Sequence, residues 1–116
     1  MREFLQFCEK NNMTRQQMKK IILRYINKIT KYGIPVRHVF VFGSTIEGTM
    51  HIDSDIDTCI ISPIFGKDRQ KERVILMNLR EGISDLIEPH PYSEKDFQNP
   101  YDSFSSQIQQ KGLKII

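Results

Sequence analysis

At 116 residues, 39% hydrophobic and 27% charged, the chain has the size and balance of one globular domain spanning 1–116. No apolar run approaches the roughly 18 residues of a membrane span, and Met1-Arg-Glu-Phe-Leu-Gln is too polar to open a signal peptide. Two cysteines, Cys8 and Cys59, fit a reducing cytoplasm, and a net charge of +3 is weak evidence for a nucleic-acid partner, because the basic residues are spread along the helices.

Residues 2–11 carry a faint helical pattern. Thr14 with Gln17 three residues on forms a capping-box start. Met18, Ile21, Ile22, Tyr25, Ile26 and Ile29 then recur at helical spacing, with Lys19, Lys20, Arg24, Lys28 and Lys31 on the other face. Gly33 and Pro35 end this N-terminal helical segment, 1–33, and the core follows over 36–116. The β-branched and aromatic run Val36–Phe42 predicts a buried strand, in which His38 is read as a hydrogen-bonded structural residue. Gly43-Ser44 turns the chain, a short loop passes Gly48 to Asp53, and a second strand runs over about 55–62 to Pro63. Lys67–Arg80 predicts a helix crossing the sheet, ended by Gly82. Ile83–Glu88 predicts a third strand stopped by Pro89 and Pro91. Ser93 with Asp96 caps a helical turn, Phe104–Gln110 predicts a last helix ended by Gly112, and Leu113–Ile116 an edge strand.

The chemistry concentrates in residues 43–57. Asp55 and Asp57 stand two apart at the mouth of an apolar strand, so they share a face, roughly 6.6 Å apart at Cα. Aspartate is disfavoured in strands, and Asp57 lies inside the apolar run Ile56–Ile61. Two carboxylates held side by side repel unless a cation sits between them, and Mg²⁺ suits such oxygens while keeping positions open for phosphates. An EF-hand loop is excluded, because Thr58 stands where that pattern needs glycine and Ile64 where it needs an acid; Asp53 reads as a loop residue. Gly43 permits close backbone approach to a ligand, and turn amides with the Ser44 hydroxyl suit phosphate oxygens, although no P-loop motif is present. No Cys/His spacing suggests zinc, and the serines and cysteines form no triad pattern.

Gly43-Ser44, ten residues, then Asp55-x-Asp57 resembles the nucleotidyltransferase superfamily with the DNA polymerase β-like fold, and within it the minimal nucleotidyltransferase branch. The likeness runs from about Val36 to the C-terminus. It implies that Gly43 and Ser44 meet the nucleotide phosphates, that Asp55 and Asp57 bind Mg²⁺, and that a third carboxylate on a neighbouring strand completes a two-Mg²⁺ site with ATP as substrate. Two acids are candidates for that third place. Glu88 is preferred, because similar sequences carry an acid in the Glu88-Pro89-His90-Pro91 context; Asp85, out of phase with it, is the alternative. His90 lies beside the candidate acid, and His51 reads as a surface residue of the turn. Many relatives carry Arg between Ser44 and Gly48, where this chain has Thr45, Ile46 and Glu47, which directs attention to Lys67 and Arg69 as compensating cations.

The expected fold is α/β, a small mixed sheet flanked by helices. The expected activity is Mg²⁺-dependent transfer of a nucleoside monophosphate, AMP from ATP, onto an acceptor hydroxyl. Related antibiotic-modifying enzymes add a helical domain that helps build the acceptor pocket, so a second subunit or a partner protein is expected to supply that wall here. The alternative is an interaction protein, the antitoxin member of a pair with a helical HEPN toxin, acting by binding with a degenerate site. Nucleic-acid binding through the lysine-rich helix 14–31 is a third reading, set below a solvated helix face.

Overall fold

The computed structural model describes residues 15–43 and 56–116. The faint helix at 2–11, the Thr14 cap and the whole turn from Ser44 to Asp55 lie outside these residues.

Helix α1, Arg15–Tyr32, buries Met18, Ile22, Tyr25, Ile26 and Ile29, the stripe its periodicity predicts, and leaves Lys19, Lys20, Arg24 and Lys31 exposed. Gly33, at φ +116°, ends it in a conformation that side chains rarely adopt. Strand β1, His38–Gly43, pairs antiparallel with β2, Ile56–Ile61. Asp68 caps helix α2, Arg69–Leu79, by accepting from the Lys71 amide, while Glu72 reaches back to the Gly66 and Asp68 amides. Strand β3 is Ile87–Tyr92, followed by the single turn α3, Glu94–Phe97, helix α4, Ser103–Lys111, and the two-residue strand β4, Leu113–Lys114. Ser93 caps α3 as expected, and Asp102 caps α4.

The sheet order is β3-β2-β1-β4, with β2 and β3 parallel and the other pairs antiparallel. It is the small mixed sheet flanked by helices that the sequence predicts. One face packs on α1 and α2 through Val39, Val41, Ile56, Ile60 and Ile87. The Tyr25 hydroxyl bridges the two helices by donating to the Leu76 carbonyl at 2.6 Å, and its burial raises the phenol pKa above the ordinary value. The other face carries Phe42, Cys59, Ile61 and Tyr92 beneath Phe97 and Ile108 of α3 and α4.

The third strand corrects the sequence reading. Residues 83–86 precede it as turn and coil, and β3 runs straight through Pro89 and Pro91. The reason is edge geometry. The Leu86 and Tyr92 carbonyls accept from the Ile56 and Ser62 amides of and just after β2, so even-numbered residues face β2 and odd-numbered ones face outward. Both prolines therefore turn their missing N–H away from β2, toward the edge that no described strand pairs with, where no ladder bond to β2 is lost.

Candidate active site

Five of the six residues of β2 are buried, and Asp57 is the partly exposed one. The sheet explains its position. Asp57 pairs with Phe42 on β1 and with Glu88 on β3, so these three form one row across three strands, each about 4.8 Å from the next. Asp57 shares its face with Cys59 and Ile61; Glu88 shares the same face with His90 and Tyr92. The two acids keep about a quarter of their side-chain surface in solvent, 24% and 25%.

Among the described residues, each carboxylate is held by one basic side chain. His90 Nε2 lies 2.9 Å from Asp57 Oδ1, and because a carboxylate only accepts, that nitrogen carries the proton. The His90 ring is backed by Phe104 of α4, with centroids 4.5 Å apart. Arg73 Nη2 donates to Glu88 Oε1. Arg73 belongs to α2, on the opposite face of the sheet, and reaches Glu88 around the open edge of β3.

That edge is lined by a stripe of arginines. Arg69, Arg73 and Arg80 lie within about 40° of one another on the α2 helical wheel. The Arg69 guanidinium sits 4.3 Å from the Tyr92 ring centre. Arg73 takes Glu88, and Arg80 donates to the Asp85 and Ile87 carbonyls at 2.9 and 2.8 Å, two of the outward-facing acceptors of the edge.

Of the residues singled out from sequence, Asp57 and Glu88 come together in one row. Asp85 lies before β3, exposed, with its carbonyl engaged by Arg80. Gly43 is the last residue of β1, opposite Ile56. Ser44, Thr45, Ile46, Glu47, His51, Asp53 and Asp55 lie outside the described residues. His38 is exposed at the start of β1. Lys67 is exposed, and Arg69 is engaged at Tyr92, four residues along β3 from Glu88; the arginine at Glu88 is Arg73.

Sequence reasoning missed Arg73. The spacing of Arg69, Arg73 and Arg80 on one helix face was the available signal. The contact made by His90 was hidden by ending the strand at Pro89, which removed the alternation that puts Glu88 and His90 on one side.

Two further groups on this face titrate far from neutrality. Burial pushes the Cys59 thiol up to about 12, with nearby Arg69 opposing it, so it remains a thiol at neutral pH and is no nucleophile. Burial likewise pushes the Tyr92 phenol up to about 12; its hydroxyl donates to Asp102 Oδ2 at 2.9 Å.

The model of the nucleotidyltransferase domain matches residues 18–114. The chain belongs to that family. The match takes in α1 as well as the sheet, reaching further toward the N-terminus than the motif likeness from Val36. No curated protein matches the chain. Members of the nucleotidyltransferase family act on nucleoside triphosphates with a divalent metal, so general nucleotidyl transfer is the chemistry this domain supports. Among the described residues no three His, Cys, Asp or Glu side chains gather as a metal cluster. Two do stand together, and their donors are hard carboxylate oxygens on adjacent strands, one oxygen of each left without a side-chain partner among the described residues. That donor set fits an oxygen-seeking divalent cation.

Proposed function

We propose that this nucleotidyltransferase domain moves a nucleoside monophosphate, AMP from ATP, onto an acceptor hydroxyl. The observation that carries the reading is the Asp57–Glu88 pair, two acids in register on one face at an otherwise buried strand. Asp55, two residues before Asp57, is assigned as their third partner, and Gly43 with Ser44 as the phosphate contact. Asp55, Asp57 and Glu88 would hold Mg²⁺, which when bound neutralises phosphate charge and lowers the pKa of the acceptor hydroxyl. The acceptor oxygen forms a bond to the α-phosphorus as the bond to the bridging oxygen breaks, and pyrophosphate leaves. The hydroxyl proton passes to solvent or to a carboxylate of this cluster. The protein's share is to position the reactants and fix the negative side chains before the reaction starts.

A protein hydroxyl on a helical HEPN partner, or on a second copy of the chain, is the assigned acceptor class. Incubation with ATP labelled on the α-phosphate and Mg²⁺, in host lysate, followed by locating the label, tests this. Transfer to a protein band that disappears with Asp57→Asn supports the reading; no label in any acceptor refutes it.

The second reading is an interaction protein of a HEPN–nucleotidyltransferase pair that works by binding alone. It is favoured by the way both carboxylates already have a basic partner within the chain. Calorimetric titration with ATP and Mg²⁺ separates the two readings, because no heat at millimolar ligand selects binding alone.

A further inference from the structure

Asp57 and Glu88 present the same local arrangement. His90 bonds only Oδ1 of Asp57, and Arg73 bonds only Oε1 of Glu88. No other side chain of a described residue bonds either carboxylate. The two partners arrive from different directions. His90 follows Glu88 by two residues on the same strand face and is backed by Phe104, whereas Arg73 rises from α2 past the open edge. Each carboxylate is thereby restrained through one oxygen, while its second, Oδ2 or Oε2, has no side-chain partner among the described residues.

Two acids one strand spacing apart repel and would otherwise rotate apart toward water. A guanidinium on one and an imidazole N–H on the other remove part of that cost without covering the free oxygens. Side chains in such a place orient cation-binding carboxylates. The neighbouring cations are not equivalent to this role: Arg69 is spent on Tyr92 and Arg80 on backbone carbonyls.

We propose that Arg73 and His90 are a pair of positioning residues that aim the free oxygens of Glu88 and Asp57 at a shared divalent cation. This rests on the proposed metal role of those two acids and adds the residues that orient them. A bare charge effect predicts the opposite sign for Arg73, since removing a nearby positive charge would favour a bound cation.

The test is Mn²⁺ binding to the intact chain, followed by the paramagnetic signal of free Mn²⁺, with the melting temperature of each metal-free variant as a measure of folding. Arg73→Ala and His90→Ala should each weaken Mn²⁺ by about tenfold or more. His90→Gln, whose amide nitrogen can stand where Nε2 stands, should recover affinity to within about threefold of the starting protein, and Arg73→Lys should recover part of it. Alanine variants that melt normally and bind Mn²⁺ as well as the parent, or Arg73→Ala that binds more tightly, would overturn the positioning role alone. A parent protein that holds no Mn²⁺ would remove the metal role of Asp57 and Glu88, and this inference with it.

Discussion

Asp57 of β2 and Glu88 of β3 stand directly opposite each other in a parallel pair, 31 residues apart in sequence (88 − 57) and adjacent in space. Parallel pairing is what makes the meeting possible, since α2 must cross over between the strands and returns the chain to the same end of the sheet. Carboxylates are rare on a strand whose other residues are all buried, and here one is matched by a second on the neighbouring strand.

Replacing Asp57 or Asp55 by Asn removes charge at nearly constant volume. Nucleotidyl transfer should fall by at least about a hundredfold in either variant, with an unchanged melting curve. Turnover near the parent rate would refute the metal assignment.

Glu88 and Asp85 should behave differently. Glu88→Gln is expected to lower transfer by on the order of a hundredfold, whereas Asp85→Asn, altering an exposed residue outside the strand, should stay within about twofold. Steady-state rates for the two variants side by side decide between the acids.

Gly112 follows α4 with an ordinary φ of −75°, so its importance is spatial. A Cβ built there would lie 2.5 Å from the Ile108 carbonyl oxygen. Gly112→Ala should cost on the order of 1–3 kcal/mol in denaturant unfolding, because the obstacle is backbone and cannot swing aside.

The Tyr25 hydroxyl donates to the Leu76 carbonyl between two buried helix faces. Tyr25→Phe should destabilise the fold by about 1 kcal/mol, read as a lower urea midpoint with an unchanged slope.

Burial lifts the Cys59 thiol from its ordinary 9.0 to about 12. The folded state therefore holds its proton more tightly than the unfolded chain does. The contribution to stability is complete below pH 9 and is lost as pH rises toward 12. Stability measured across that window should fall less in Cys59→Ala than in the parent. At neutral pH, peptide mapping should find Cys59 unmodified by iodoacetamide until denaturant is added.

Much of this was legible from local pattern. The α1 stripe from Met18 to Ile29, the apolar runs of β1 and β2, the Ser93 cap and the stop at Gly112 each depend on neighbours within a few residues. Asp57 stood out for the same reason, as an acid inside an apolar run. Pro89 and Pro91 misled because proline's cost in a strand depends on which side of the strand is open, a property of the sheet rather than of the segment.

Sequence by itself determined the helices and the first two strands, and it singled out Asp57 as an acid inside an apolar run, because periodicity and propensity act over one or two turns of chain. Only the tertiary structure decided that Glu88 and not Asp85 faces Asp57, that β3 is the outer strand among the described residues, and that Arg73 and His90 attend the two acids. Register between distant strands comes from packing both faces of the sheet at once, and a single residue's shift would have turned every one of these side chains away.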